Sequence, residues 1–333
     1  MGILSTLYGA GLRCNKLLST KFRKPGTLPV RTVCIGNITT GGTGKTPAVI
    51  ALAEEAKKRG LHPCILTRGY KGTEKSVCFV TKGGLPMLDP AQSGDEPYLM
   101  ASLLRDVPIV MGRSRYEAGL FAMQSLDPKP DIFILDDGFQ HWALKRDIDI
   151  VLIDSTNPFG NGRLLPEGIL REPLTSLKRA SFIILSKADM AKDESLKKLK
   201  ETVSSINSDA VIYTASHAPY SLTDPQGRNM DIHSIKGQKV FAFAAIANPA
   251  YFHATIRSSG ADIIGSENFR DHYTYRQQDI DEIQKSAAGT DILTTEKDMV
   301  KLSGLRLPDS IHALRVRFEI EEEYYDTLFR RIE

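Results

Sequence analysis

The chain of 333 residues is poor in cysteine: it has four, and no two of them form a C-x-x-C pair. Cys14, Cys34, Cys64 and Cys78 therefore supply neither a redox dithiol nor half of a zinc site. Three of them lie in or beside apolar runs, the setting of buried free thiols in a reducing compartment. Seven scattered histidines give no zinc spacing either. No apolar run approaches the roughly 20 residues that cross a bilayer, and no small-residue cleavage site follows the apolar N-terminus. Acidic residues are missing before Glu54, whereas seven of the 43 basic residues precede it, leaving 36 basic against 40 acidic residues in the rest. A mildly acidic body with a basic N-terminus is not a nucleic-acid-binding profile; it suits an anionic membrane surface. The 41% hydrophobic and 25% charged fractions describe a folded chain.

Within "MGILSTLYGAGLRCNKLLST", Ile3, Leu4, Leu7, Tyr8, Leu12, Leu17 and Leu18 share roughly one helical face, and "KFRKP" follows. Residues 1–30 read either as an interfacial amphipathic helix with a basic segment or as a helix packed on its own domain.

Beyond them, "TVCIG", "PCILT", "PIVMG", "DIFILD", "DIVLID" and "FIILS" are continuous apolar runs separated by helical stretches. Such runs mark strands buried on both faces, so residues 31–214 are expected to form an α/β core with a mostly parallel sheet flanked by helices. The stretch 74–88 reads as an inserted hairpin, a candidate lid. After a polar connector the series restarts with "KVFAFAAI", "ADIIGS", "DILTTEKD" and "HALRVRFEI". A second, smaller α/β domain is expected over 215–320, with a helix over 321–333 that packs on either domain.

The first site candidate is "GNITTGGTGKTP". It nearly fits G-x-x-x-x-G-K-[ST], with Thr39 where the first glycine is expected. Small residues from Thr39 and Thr40 through Gly41, Gly42, Thr43 and Gly44 let backbone N–H groups turn toward phosphate oxygens, and the following helix adds partial positive charge. Lys45 reaches the β- and γ-phosphates and the Thr46 hydroxyl is placed for Mg²⁺. A P-loop NTPase-type core binding a nucleotide with Mg²⁺ follows; the loop alone does not separate a kinase from a GTPase switch. "DIFILDDGFQH" supports it, because a carboxylate at that strand end, Asp136 or Asp137, binds Mg²⁺ or orders water.

Three segments bear on the acceptor. Asp95 and Glu96 in "SGDEPYLM" read alone as first-turn helix acids. Arg163 and Arg171 lie on a Gly/Pro-rich loop and suit phosphate recognition, or are solvated surface residues. Asp271, His272 and Tyr273 follow a strand of the second domain.

"GNITTGGTGKTP", "TRGY", "GDEP", "GRSR", "LDDGFQH", "GNGRLLPEGILREP", "DHYTY" and "TTEKDMVKL" occur in that order. Together they resemble the tetraacyldisaccharide 4′-kinases, the lipid A 4′-kinases of Gram-negative bacteria, over nearly the whole chain. The resemblance implies transfer of the ATP γ-phosphate to the 4′-hydroxyl of tetraacyldisaccharide 1-phosphate, giving lipid IVA. It implies two α/β domains joined by a β-stranded linker. It also implies a monomer, without nucleic acid, whose N-terminal helix meets the cytoplasmic face of the inner membrane. On the family pattern, Asp95 accepts the hydroxyl proton together with His272, single here where many members carry paired histidines. Lys45 and Arg171 complete the catalytic set. Thr46, Glu96 and Asp137 are expected at Mg²⁺, with Asp136 interchangeable with Asp137. Tyr70, Arg115, Gln140 and His141 are expected to line the substrate or phosphate site.

The runner-up is a P-loop GTPase-like switch or metallochaperone, because "FIILSKAD" resembles a guanine-reading N/T-K-x-D with Ser186 in place of Asn or Thr. A non-catalytic nucleotide-binding scaffold is the third reading.

Overall fold

The structure is a computed structural model that describes residues 2–19 and 24–332. Lys21 and Arg23 of the basic cluster lie outside the described residues. The chain forms two compact units, Met1–Ser216 with Phe318–Glu333, and His217–Arg317.

In the first unit the apolar runs become β1 (Arg31–Gly36), β2 (Pro63–Thr67), β3 (Cys78–Lys82), β4 (Pro108–Met111), β5 (Ile132–Asp136), β6 (Ile148–Asp154), β7 (Phe182–Ser186) and the start of β8 (Val211–Thr223). They lie in the order β8-β7-β6-β1-β5-β2-β4-β3. All neighbours are parallel except β3 on β4. Helices α1 (Ile3–Leu17), α2 (Lys45–Lys58), α3 (Pro90–Ser93), α4 (Asp95–Leu103), α5 (Arg115–Ser125) and α6 (Asp193–Ile206) connect or flank them. The two-residue period of a strand explains why continuous apolar runs were needed. Val33, Ile35, Ile65, Ile132 and Ile134 point to one face, against Val49 and Leu52 of α2 and Met100 of α4. Cys34, Cys64, Leu66, Phe133 and Leu135 point to the other, against Ala118 and Ala122 of α5 and Leu199 and Val203 of α6. Each fully buried Leu, Ile or Phe contributes about 1.5–3 kcal/mol.

The expected α/β core is present, but the hairpin at 74–88 is not. Only Cys78–Lys82 is a strand, and it pairs antiparallel with β4 as the sheet edge. Gly83 turns the chain at φ 104°, and Pro86, which has no N–H to give a ladder, precedes a lone backbone bond from Met87 N to Val80 O (2.7 Å). The segment therefore finishes the sheet rather than forming a lid hairpin.

The second unit repeats the logic at smaller scale. A short β9 (Asn229–Asp231) pairs antiparallel with the end of β8. Strands β10 (Lys239–Ala244), β11 (Asp262–Asn268), β12 (Asp291–Thr295) and β13 (Ile311–Ile320) are parallel in the order β11-β10-β12-β13. Val240, Ala242 and Ala244 face Phe252 and Ile256 of α7 (Pro249–Ser258). Phe241 and Phe243 face Ile280 and Ile283 of α8 (Gln277–Ala287). After α9 (Glu296–Lys301), β13 carries the chain back to the first unit. There α10 (Glu322–Arg330) buries Tyr324, Leu328 and Phe329 in the α2-side core. Tyr324 meets Phe182 and Tyr213 edge-on at 5.8 and 5.4 Å between ring centroids.

Candidate active site

Parallel pairing brings the informative strand ends together. Ile35 of β1 sits beside Asp136 of β5, and Gly36 beside Val151 of β6. The glycine-rich loop thus leaves the sheet next to the two aspartates. Gly44 caps α2 at φ 84°, a left-handed position where a side chain would be strained, so the loop can turn straight into the helix that carries Lys45 and Thr46.

The loop is braced from several directions. Thr40 N donates to Ile169 O (2.7 Å) and Arg171 N to Ile38 O (2.7 Å), so the arginine loop runs alongside it. The Asn37 amide, fully buried, donates to Thr43 Oγ1 (3.1 Å). Ser186 Oγ donates to Thr43 O (2.9 Å), and Lys187 Nζ donates to Gly42 O (2.7 Å) while pairing with Asp154. "SKAD", read above as guanine-like, here holds P-loop carbonyls through Ser186 and Lys187.

The two aspartates have opposite surroundings. Asp137, held at φ 48°, accepts both of its bonds from Arg171 Nη1 (2.8 and 3.0 Å), and Lys45 Nζ lies 3.7 Å away. Burial pushes its carboxyl up, but Lys45 and Arg171 outweigh that and bring it to about 2. Asp136 is buried; one oxygen accepts from Thr67 Oγ1 (3.0 Å), and the other has no partner among the described residues. Burial first, then the charges of Glu96 and Asp137, raise its carboxyl to about 7. A buried carboxyl with one unpartnered oxygen and two acidic neighbours fits a divalent cation. Among the described residues no three His, Cys, Asp or Glu side chains would cage a metal alone. Mg²⁺ needs no such cage, because it keeps water and phosphate oxygens around one or two carboxylates.

Asp95 and Glu96 form the first turn of α4. Gly94 before them, at φ 91°, has no room for a Cβ, which would meet Tyr70 O at 2.4 Å. That contact packs the "TRGY" loop onto "GDEP", with the Tyr70 ring exposed. Arg115 at the start of α5 is buried, donates to Arg113 O (3.2 Å), and feels Asp136 and Asp137. Gln140 Nε2 donates to Asn37 O (2.9 Å) and Glu172 Oε1 (2.8 Å), while its Oε1 is buried with no partner among the described residues. His141 is driven down to about 4 by burial and then by Arg115, Arg146 and Arg68, so it is neutral at pH 7. Lys45, Thr46, Asp136, Asp137, Arg171 and Gln140 thus surround one loop. His272 belongs to the second unit, at φ 60° after Asp271, whose carboxylate also has Lys297 Nζ at 3.8 Å.

Three participants escaped the sequence reading. Asn37 accepts from Arg171 Nη1 (3.1 Å) as well as bonding Thr43. Glu172, buried, takes both nitrogens of Arg179 (3.0 Å each), whose guanidinium stacks over Phe139 (4.1 Å) and Trp142 (4.2 Å). The Asp154–Lys187 pair is the third. Their only sequence signal is a polar residue at the end of an apolar run, which is weak.

Helix α1 docks on the arginine loop, with Ser5 Oγ donating to Leu164 O (2.8 Å) and Tyr8 OH to Arg171 O (3.3 Å). The expected apolar face is divided, because Tyr8 packs against the core while four of its leucines do not. Ser5 is fully buried, whereas Leu4, Leu7, Leu17 and Leu18 are exposed. No described helix is long and apolar enough to cross a membrane.

The sequence pattern of the tetraacyldisaccharide-1-P 4′-kinases (LpxK) matches residues 1–333. The tetraacyldisaccharide 4′-kinase of Halothermothrix orenii is 40% identical over 321 residues, covering 91% of this chain and 82% of that protein. That of Syntrophus aciditrophicus is 38% identical over 97% of this chain and 90% of its own length. A crystal structure of LpxK from Aquifex aeolicus in complex with ATP superposes with a TM-score of 0.78 at 30% identity, covering 99% of this chain and 98% of that one. A phosphate loop braced as described, matched along the full length of both sequence and fold, places this chain in the tetraacyldisaccharide-1-P 4′-kinase family.

Proposed function

We propose that this chain transfers the γ-phosphate of ATP to the 4′-hydroxyl of tetraacyldisaccharide 1-phosphate, with the residues around the P-loop dividing the work as follows. The observation that carries the reading is the cluster of Lys45, Arg171 and Asp137 at the P-loop mouth, one carboxylate shared by two cations. When phosphates arrive, Lys45 and Arg171 are already oriented to take their charge, and the loose transition state of phosphoryl transfer needs mainly that. Bound Mg²⁺–ATP supplies the phosphoryl group and screens its charge. Thr46, Glu96 and one of the strand-end aspartates hold the metal. The buried, unpaired oxygen of Asp136 supports Asp136 in that place and Asp137 as the holder of the two cations, although either carboxylate is near enough in sequence to serve. Thr39, Thr40, Gly41, Gly42, Thr43 and Gly44 wrap the phosphates with backbone N–H groups. Asp95 accepts the hydroxyl hydrogen bond and orients the nucleophile. His272 keeps the proton-handling role the family pattern gives it. Tyr70, Arg115, Gln140 and His141 shape the acceptor side, Gln140 through its bond to Asn37 O at the start of the P-loop.

The exposed leucines of α1, beside a basic segment, support docking of a monomer on the inner membrane's cytoplasmic surface, where the lipid acceptor resides. The switch or metallochaperone reading is not favoured, because the family match runs through the arginine loop and the second unit as well as the P-loop. The deciding experiment follows labelled γ-phosphate from ATP to tetraacyldisaccharide 1-phosphate in detergent micelles, with Mg²⁺ and with EDTA. A Mg²⁺-dependent bis-phosphorylated product is expected. Folded, ATP-binding protein that makes none would overturn the assignment.

A further inference from the structure

In the second unit, "TTEKDMVKL" (294–302) contains an ion pair almost out of water: the Lys301 side chain is 4% exposed and that of Asp298 0%, with Nζ 2.8 Å from Oδ1. A buried pair is weak evidence for stability, because desolvating two charges offsets most of their attraction. What the pair holds is therefore the more informative question. Strands β10 and β12 are parallel neighbours, so α9, which follows β12, rises beside the end of β10. There the pair takes both backbone groups of Ala245, the residue after β10. Asp298 Oδ2 accepts from Ala245 N (3.1 Å), and Lys301 Nζ donates to Ala245 O (2.9 Å).

The loop that carries His272 is stitched to the same place. Phe269 N donates to Ala244 O (2.9 Å) and His272 N to Ala245 O (3.4 Å). At the far end of the loop the buried ring of Tyr275 lies against Phe243, Phe269 and Tyr273, at 5.5, 5.1 and 5.4 Å between centroids. Its hydroxyl donates to Asp298 Oδ1 (3.2 Å). One carboxylate thus ties down both ends of the loop, and the lysine fixes the carbonyl that the His272 N–H reaches. His272 sits at φ 60°, a left-handed conformation that costs a non-glycine residue free energy and persists only where the surroundings impose it. Asp298 and Lys301 lie at the centre of those surroundings.

We propose that Asp298 and Lys301 are positioning residues for phosphate transfer: through Ala245 and Tyr275 they set the backbone of residues 269–275 and so the direction in which His272 presents its imidazole. The proposal rests on the kinase reading, in which His272 handles the proton.

The test uses Lys301→Met, and Asp298→Asn/Lys301→Met, which leaves no charge stranded and keeps the fold if the single variant loses it. Lys301→Arg, which retains a donor for both partners, is the conservative rescue. With tetraacyldisaccharide 1-phosphate in detergent micelles, kcat is expected to fall about ten- to a hundredfold in both methionine variants, the effect of a misplaced catalytic group. The KM for ATP should stay within about twofold, and Lys301→Arg should recover most of the rate. In a His272→Ala background, Lys301→Met should cost less than about twofold more, because the group it positions is already gone. An equal fold-loss in both backgrounds, a raised KM for ATP with kcat unchanged, or no change would each overturn the proposal. The imidazole is also observed directly, by NMR of protein carrying ¹³C-labelled histidine, its signal identified as the one missing from His272→Ala. That signal should shift or broaden in the folded methionine variants and return in Lys301→Arg; a signal left at its wild-type position overturns the proposal whatever the rates. A signal that moves as expected in a protein whose wild type transfers no phosphate would retain the positioning of His272 and remove the kinase reading.

Discussion

Replacing Lys187 by methionine tests how the P-loop is held. The Lys187 side chain is 4% exposed and its partner Asp154 12%, so the pair is largely out of water. Without the lysine, Asp154 keeps, among the described residues, the Thr156 backbone N (2.9 Å) and Oγ1 (2.6 Å) as donors. Leaving one member of a buried pair uncompensated costs about 3–5 kcal/mol. For a folded unit of this size, at about 2–4 °C per kcal/mol, Tm should fall by about 6–20 °C. The pH dependence has a definite sign. In the wild type, burial pushes the Asp154 carboxyl up, but Lys187 and Thr156 hold it below its ordinary range. In Lys187→Met, burial prevails and the folded pKa lies above the unfolded one. The variant therefore regains stability as pH falls through that raised value, and its deficit is smaller at pH 5 than at pH 8. Adding Asp154→Leu removes the stranded charge and should recover most of the loss. Both variants lack the bond to Gly42 O, so both should show a KM for ATP raised by about tenfold, one charge-assisted contact. Thermal melts across pH and steady-state kinetics measure all of this. Equal Tm losses in the single and double variants would refute the reasoning, because the two side chains would then not be coupled.

Other outcomes follow from the same geometry. Lys45→Ala should abolish phosphate transfer, and Asp95→Ala should lower kcat by roughly 10²–10⁴ while leaving ATP affinity within about twofold; unchanged rates in both would remove the site assignment. Glu172→Gln strips the carboxylate that takes both Arg179 nitrogens and the Gln140 amide, and should cost about 1.5–3 kcal/mol in denaturant melts with a lower kcat/KM. An unchanged midpoint would show that this cluster does not hold the loop. The folded pKa of His141, about 4, is below its unfolded value of 6.5, so the unfolded state binds the extra proton. Stability tied to this residue is lost as pH falls from 6.5 toward 4, about 3 kcal/mol in all. His141→Gln should flatten that limb in urea titrations at pH 4.5 and 7; an unaltered slope would contradict the burial assigned to the ring.

The core and the phosphate loop could be read from the chain because their signals are local. A run such as "DIFILD" is apolar at every position only if both faces are covered, and "GTGKT" after such a run has few other uses. The bracing of that loop could not be read in this way. Ser186 and Lys187 reach residues more than 140 positions earlier, and nothing periodic connects them. Their motif instead suggested a base reader. The two aspartates stand side by side in sequence, and only the left-handed backbone at Asp137 turns one toward Arg171 while leaving the other under the sheet edge. In α1 the leucines announced an apolar face, yet of that face Tyr8 docks beside Ser5, which finds Leu164 O, a hydrogen bond that hydropathy does not register. The hairpin at 74–88 failed on Pro86: two apolar runs around Gly-Gly suggest paired strands, but the second had no ladder to give.

The return of the chain to the first unit after His217–Arg317 has a consequence for synthesis. The aromatic residues Phe182 and Tyr213 are covered by Tyr324, which leaves the ribosome only after the whole second unit has been made. At roughly 5–20 residues per second, the intervening stretch of about 100 residues takes on the order of 5–20 s. For that interval the nucleotide-binding unit stands with an apolar wall open, and the second unit receives all its strands before that wall is closed. The unit that begins first is thus the one that finishes last, and its unclosed wall is the surface that a chaperone would meet on the nascent chain.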